Sequence, residues 1–344
     1  MQKLSITKGL TNIVDITKRG AILLGKNFAV DGPEKRPVRV ITHAHSDHLI
    51  GLEESLQYSS MVIATPATIE LILELCRLNT TYRVLFKQKA VPLDYNQEIN
   101  INGEKLTLLY SNHILGSAQV LVETNGYRLG YTGDFRIKNT PVMKDLDILV
   151  IEATYGSPKT IREFKDEVED YIVDAVLDGL SRDEPVRIYG YYGKLQEVMV
   201  LLRNKGIKEP FIMPPKIYRI TKIAVKYGYE IDNFYNSNTR EAMEIKRTGR
   251  YILFQHMMTA SRRNLDKGVN IVLSGWEFDK PIKKIDRNTW LIAYSSHADF
   301  NELLEYVEKA QPKVLIVDNS RESYAYEFAN EVSKRLKIPA IVLP

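Results

Sequence analysis

His43-Ala44-His45-Ser46-Asp47-His48 is the stretch on which the reading of this chain turns. It follows directly on the apolar run Val38-Arg39-Val40-Ile41-Thr42. Side chains of a strand alternate between its two faces, so histidines two residues apart at a strand end point the same way. Asp47 and His48 then turn toward a second point. Such a set can serve two cations held close together. Sites of that kind, with ions about 3.5–4 Å apart, support displacement at phosphorus and other hydrolyses. The plain alternative is a solvated histidine-rich turn, yet the whole chain holds only 6 histidines and three stand here.

Upstream lie short strand-like runs, Ile13-Val14-Asp15-Ile16, Ala21-Ile22-Leu23-Leu24 and Phe28-Ala29-Val30, separated by turn residues such as Gly20 and Gly25-Lys26-Asn27. Downstream, Thr65 is a good N-cap and Pro66 suits a first helical position, which predicts a helix through Leu78. Strands follow at Leu106–Tyr110, Ala118–Val122, Tyr127–Tyr131 and Ile148–Ile151, with Asn125-Gly126 marking an antiparallel hairpin. The pattern changes at Gly156-Ser157-Pro158. A long acidic helix is expected from Ile161 to Leu180, then alternating strands and helices that suggest a parallel sheet with covering helices. The end of the chain, from Trp290 to Leu343, is α/β again.

The 344 residues suggest about two domains. With 44% hydrophobic and 26% charged residues, the composition is that of an ordinary globular protein. No apolar run approaches the roughly 20 residues needed to span a bilayer, so no membrane partner is expected. The N-terminus carries no signal-peptide pattern, and a single cysteine, Cys76, cannot form an internal disulfide. Cys76 reads as a buried helical thiol. The expected location is cytoplasmic. A net charge of +4 permits a polyanionic partner without demanding one.

Three further residues stand just past apolar strands: His113 in Ser111-Asn112-His113-Ile114-Leu115-Gly116-Ser117, Asp134 in Tyr131-Thr132-Gly133-Asp134-Phe135, and His297 in Ser295-Ser296-His297-Ala298-Asp299. Strand ends on one rim of a rigid sheet are where functional side chains gather. Together with His43-Ala44-His45-Ser46-Asp47-His48, these contexts resemble the metallo-β-lactamase superfamily. Ile151-Glu152-Ala153-Thr154-Tyr155-Gly156 and the His297 segment resemble its β-CASP branch of RNA- and DNA-processing nucleases. The length, and Tyr192-Gly193-Lys194-Leu195-Gln196-Glu197, are similar to the compact exonucleases found with DNA ligases and helicases in prokaryotes. The resemblance covers nearly the whole chain.

It implies an α/β (α+β) fold: an αββα sandwich built from residues 1–156 and 286–344, with a β-CASP-like α/β cap inserted over 157–285. It implies two zinc ions, with manganese as the alternative. His43, His45 and His113 would bind the first. Asp47, His48 and His297 would bind the second, and Asp134 would bridge them. Imidazole and carboxylate ligands suit zinc, and a hydroxide between the ions would attack phosphorus. Asp47 and Glu152 would take part in the chemistry, Glu152 by orienting or handling a proton rather than ligating. Asp31, in Phe28-Ala29-Val30-Asp31-Gly32-Pro33, would prop the ligand loops.

The larger β-CASP nucleases carry a further histidine ahead of the position of His297, and this chain has none between Trp276 and His297. His256 is the spare histidine and the candidate to act in its place; a structural role is its alternative. A second departure is Val317-Asp318-Asn319-Ser320, where relatives often carry His-Gly. Ser261, Arg262 and Arg263 suit phosphate contacts, and Lys216, Arg219 and Lys222 fall at helical spacing as a basic stripe, a feature that is by default a wet helix face. The expected activity is a metal-dependent nuclease acting on RNA or single-stranded DNA, with exonuclease action favoured and a homodimer admitted. The alternatives are a small-molecule metallo-hydrolase of the thioesterase or lactonase type and a non-catalytic nucleic-acid-binding relative.

Overall fold

The computed structural model describes residues 13–262, 268–321 and 324–344. The chain forms two compact units. One comprises the chain up to Ile161 together with His297–Pro344; the other is Arg162–Ser296.

The first unit is a sandwich of two sheets. One has six strands, in the order Val14–Ile16, Ile22–Leu24, Phe28–Val30, Val38–Val40, Met61–Ala64, Ala90–Pro92. The other has seven, in the order Ala340–Leu343, Val314–Asp318, Ile148–Ile151, Tyr127–Tyr131, Ala118–Thr124, Glu104–Tyr110, Glu98–Ile101. The period-two alternation of apolar residues decides which face each side chain covers. Val120, Val122, Ile148 and Val150 join the core between the sheets, together with Phe28, Val30, Val38 and Val40. Their neighbours Leu121, Leu149 and Ile151 face outward, into a second core with Phe300, Leu303, Val307 and Phe328 from the helices Phe300–Ala310 and Ala325–Arg335. Helices Leu52–Tyr58, Pro66–Leu75 and Thr80–Lys89 bury Leu52, Leu56, Leu71, Ile72 and Phe86 beside the six-stranded sheet. Burying each such side chain stabilises by about 1.5–3 kcal/mol relative to exposure. The αββα order expected from the sequence is the order found. No helix among the described residues is long and apolar enough to cross a membrane.

Three local expectations are corrected. Thr65 does cap its helix, accepting from Thr68 N at 3.2 Å, but that helix stops at Leu75. Cys76 is the residue after it and only half-buried, since the chain turns extended there. The acidic helix begins at Val168, not Ile161. Thr160 donates its hydroxyl to the carbonyls of Tyr155 (2.6 Å) and Ser157 (2.7 Å), and Glu167 N closes a turn on Phe164 O, so the intervening backbone is already committed to turns.

The second unit is a seven-stranded sheet in the order Phe234–Asn236, Phe211–Met213, Ile252–His256, Val186–Gly190, Val269–Leu273, Thr289–Ile292, Ile282–Asp286. All neighbours are parallel except the last pair. Helices Val168–Ser181, Lys194–Asn204 and Pro215–Lys226 line its separate core. Strands Ile282–Asp286 and Thr289–Ile292 belong to this sheet, which carries the unit past residue 285 to Ser296.

Candidate metal centre

In the first unit the parallel strands ending at Val30, Val40 and Ala64 share one edge, and those ending at Tyr131, Ile151 and Asp318 share an edge of the other sheet. Ala118 N bonds Thr42 O at 3.0 Å and joins the two edges. Every candidate ligand of this unit leaves from one of these ends or from the loops beside them.

Past Val40 the chain stays extended, with Ile41 N on Ile63 O. Thr42 then fixes the cluster's first turn, donating its backbone N to Asp31 Oδ1 (2.8 Å) and its hydroxyl to Asp31 Oδ2 (2.5 Å). His48 Nδ1 lies 2.8 Å from the same Asp31 oxygen. A proton on Nδ1 makes Asp31 its acceptor and turns the lone pair of Nε2 the other way. Asp31 therefore holds both the strand end and the ring. The His113 loop is held by Ser111 N on Ser117 O and by Ser111 Oγ on Asp134 O at 2.7 Å. Gly133, before Asp134, has φ +54, and a Cβ there would lie 3.1 Å from Ala118 O and 3.2 Å from Thr42 Cβ. A side chain there would be strained by the positive φ and would crowd both neighbours.

The side chains converge. His45 Nδ1 is 3.1 Å from His43 Nε2 and 3.0 Å from His113 Nε2. Asp134 Oδ2 is 3.5 Å from each of those Nε2 atoms. Three imidazole nitrogens and a carboxylate oxygen thus face one point, the donor set of a divalent cation. A second point adjoins it. The Nε2 of His48 is buried without a hydrogen-bond partner, 3.3 Å from Asp47 Oδ2 and 3.4 Å from Asp134 Oδ2. A buried polar atom left so is costly unless a ligand meets it. An ion beside His48, Asp47 and Asp134 would meet it, so the residues present fit two cations sharing Asp134.

The electrostatics agree. Burial, then the neighbouring His48 and His113, push His43 well below the ordinary histidine range, which keeps it the neutral imidazole that metal ligation requires. Burial works to raise Asp134, but His48, His297 and His43 outweigh it and hold the carboxylate well below its usual range. Asp47 is exposed and likewise lowered, its partial desolvation opposed by His48. His48 is driven the other way: burial would lower it, while the carboxylates of Asp134 and Asp31 raise it. The negative charge gathered around that ring is what a cation would neutralise.

Glu152 stands beside the centre. Its Oε1 accepts Phe135 N at 2.9 Å and its Oε2 accepts the Thr154 hydroxyl at 2.5 Å. His297 Nδ1 is 3.1 Å from Glu152 Oε2 and 3.9 Å from Asp134 Oδ2. The three form a second His/carboxylate group. His297 is placed by Ala298 N on Phe135 O and by Asp299, the N-cap of the helix Phe300–Ala310.

The remaining candidates lie in the second unit. His256 ends the strand Ile252–His256, level with Gly190 of the parallel neighbour, so its ring meets Tyr191 and Tyr192 at centroid distances of 5.4 and 4.6 Å. Ser261 and Arg262 are exposed on the short 3-10 helix Met257–Arg262; Arg263 lies outside the described residues. Lys216, Arg219 and Lys222 fall on the helix Pro215–Lys226, the latter two exposed. Sequence reasoning missed Thr42 and Thr154. Thr42 could have been noticed at the strand end before His43; Thr154 lies within the segment that carries Glu152 but was given no role.

Residues 32–176 match the family model described as the metallo-beta-lactamase superfamily. A protein of Acidianus ambivalens described as "Uncharacterized protein in lig 3'region" is 46% identical over 143 residues, which is 40% of this chain and 98% of that protein. The chain belongs to the metallo-β-lactamase superfamily, in its β-CASP branch. Its likeness to relatives named as RNases, among them a probable RNase of Methanocaldococcus jannaschii 23% identical over 69% of this chain and 66% of its own length, makes it a hydrolase of the metal-dependent nuclease kind. Residues 283–344, which include His297, match the model described as a Zn-dependent metallo-hydrolase RNA specificity domain. Among its superfamily relatives, an RNase J-like protein of Methanocaldococcus jannaschii is 23% identical over 97% of this chain and 95% of its own length. A solved structure, a protein of unknown function from Enterococcus faecalis, shares the fold with TM-score 0.60 at 12% identity, covering 91% of this chain and 80% of that one.

Proposed function

We propose that this protein is an RNA-degrading nuclease that works with two divalent ions, zinc or manganese, and removes nucleotides from a chain end. The observation that carries the two-ion reading is the pair of adjacent donor sets that meet at Asp134. His43, His45 and His113 would hold one ion, Asp47 and His48 the other, and Asp134 both. Bound ions would supply an activated water and stabilise charge at phosphorus. An RNA substrate is favoured by the match of the C-terminal residues to an RNA specificity domain. Single-stranded DNA is the second substrate to test. The chain-end preference rests on the resemblance to compact exonucleases.

We assign His297 to proton handling rather than to the second ion. Its Nδ1 is closer to Glu152 than to Asp134, and a carboxylate that accepts from Nδ1 fixes the tautomer a general acid needs. Glu152, itself held by Phe135 N and the Thr154 hydroxyl, is the group that orients the ring.

In the second unit, Tyr191, exposed to 50%, lies with Tyr192 and His256 at the carboxyl edge of parallel strands, and Lys216 lies over the Tyr192 ring at 5.3 Å. Strand ends of this kind commonly bind ligands, and aromatic rings beside a cation accept bases and phosphates of a single strand. Burial and Lys216 lower the His256 pKa, so its ring is neutral near pH 7 and suits stacking better than proton donation. Ser261, Arg262 and Arg263 extend the same assignment to phosphate contacts.

One time course tests the reading: RNA and single-stranded DNA of one sequence, labelled at the 5′ or the 3′ end, with zinc or manganese. The expected result is mononucleotide release from one end of RNA, lost in His45→Ala and Asp47→Ala. Undiminished cleavage by those variants, or thioester turnover without any cleavage of nucleic acid, would overturn it.

A further inference from the structure

We infer that Arg321, locked by Asp318, is a positioning residue for the second cation site, acting through Asp31 on His48. The inference rests on the two-ion reading above. Asp31 carries three bonds toward the centre: it accepts Thr42 N, the Thr42 hydroxyl and the Nδ1 side of His48. It does so from a left-handed backbone, φ +53, a region that residues other than glycine seldom occupy and that must be held by surrounding contacts. Part of that hold comes from the far end of the chain. Arg321 Nη2 donates to Asp31 O and to Gly20 O, both at 2.6 Å. The guanidinium thus ties the strained residue to the turn before the strand Ile22–Leu24.

Arg321 is itself immobilised. Its Nη1 donates to Asp318 Oδ2 at 3.0 Å and to Ser320 Oγ at 3.3 Å. The other Asp318 oxygen accepts Ser320 N (2.8 Å) and Ser320 Oγ (2.5 Å), so this carboxylate is taken up by its own turn and by the arginine. Both charged side chains are almost buried, at 8% and 3% exposure. The turn is shaped around the guanidinium. Gly20 has φ +77, and a Cβ there would lie 2.9 Å from Arg321 Nη2. The planar fork of an arginine satisfies two carbonyls and a carboxylate at once; an ammonium on a flexible stem does so less well.

Asp318, at the end of the strand Val314–Asp318, and Arg321 therefore fix Asp31, and Asp31 fixes which way His48 presents Nε2. The first site is reached by this relay only through one further link: the Thr42 hydroxyl, held by Asp31, lies 3.0 Å from His43 Nδ1, while His43, His45 and His113 also meet each other and Asp134 directly. Groups that orient metal ligands at second hand typically set metal affinity by about 10–100-fold. The loss on weakening the pair should fall mainly on the second ion, whose ligand His48 contacts Asp31 directly.

The experiment is a zinc titration of the full chain against a competing chelator, with ion content measured after gel filtration, for the wild type, Arg321→Lys, Asp318→Asn, Asp31→Asn and the Asp31→Asn/Arg321→Lys double variant. The wild type is expected to bind two ions. Arg321→Lys and Asp318→Asn are expected to bind the second about ten-fold or more weakly and to weaken the first by a clearly smaller factor. The double variant should be little worse than Asp31→Asn alone, since both act on one relay. Two ions bound at wild-type affinity by Arg321→Lys and Asp318→Asn would overturn the inference. So would equal weakening of both ions with a lowered melting temperature, which would make the pair a general fold contact. A wild type that binds one ion would instead overturn the two-ion reading beneath it.

Discussion

At His48 a single ring serves two neighbours. One nitrogen is committed to Asp31, and the other is left toward Asp47 and Asp134. The same division recurs at His297, where Glu152 takes Nδ1. If Glu152 and His297 act as one unit, removing either should cost nearly what removing both costs. Glu152→Gln and His297→Ala are each expected to lower kcat by roughly 10²–10⁴-fold, the usual contribution of a positioned acid or base. The double variant should be no worse, and ion content should stay at the wild-type level in all three. Elemental analysis beside single-turnover rates checks this; loss of an ion from His297→Ala would return that residue to the ligand set. The cluster of candidate ligands could be located in the sequence because its chemistry is packed into neighbouring positions, His43 to His48. Thr154 and Arg321 were not, because lone polar residues become partners only when the chain folds them beside Glu152 and Asp31. Asp318, read as an unexplained departure from relatives, proves to be the anchor of that arginine.

At the level of elements, strand ends were easier to locate than helix starts. The apolar runs before His43, Asp134 and Glu152 stop where polar loop residues begin, and the structure ends the strands at Val40, Tyr131 and Ile151. The helix start at Val168 depended on the Thr160 hydroxyl bonds, which sequence periodicity does not carry. The strand Glu104–Tyr110 shows another such tie. Its buried first residue, Glu104, accepts Lys26 N, Asn27 N, Asn27 Nδ2 and the Thr124 hydroxyl. Burial works to raise its pKa, but these donors win and lower it below the ordinary 4.5. A carboxylate with a depressed folded-state pKa contributes stability that is fully present above the unfolded value and is lost as pH falls through the folded one. Glu104→Gln should therefore cost about 1–3 kcal/mol near neutral pH, and the gap to wild type should close below pH ~4.5. Urea denaturation near pH 7 and near pH 3, with chelator present so that ion release does not contribute, measures both. A gap that persists unchanged at the acid end would remove the charge from this account.

On the scale of the whole molecule, the two units have separate cores, and the candidate ligand set belongs to one of them. The βα alternation made the inserted unit visible in the sequence. Its far boundary was harder to read, because the strand Thr289–Ile292 looks like the resumption of the first sandwich until its pairing with Val269–Leu273 is known. The candidate centre draws residues from Asp31 to His297 onto the edges of both sheets of the first unit, so ion binding there requires that unit to be folded. Ions that bind the native state and not the unfolded chain stabilise by mass action, by about 2.7 kcal/mol for a site at 100-fold excess over Kd. With one cysteine and 6 histidines, the unfolded chain competes weakly for zinc. Removing the ions with a chelator should lower the melting temperature of the first unit by roughly 5–10 °C for each site lost, given the shift expected per kcal/mol in a unit of that size. The second unit, which holds none of these ligands, has no such term. Calorimetry with and without chelator should then show the transition of the first unit move and that of the second stay. A shift of both together would mean that the two melt as one cooperative body, and no shift of either would mean that the residues around Asp134 do not hold a cation.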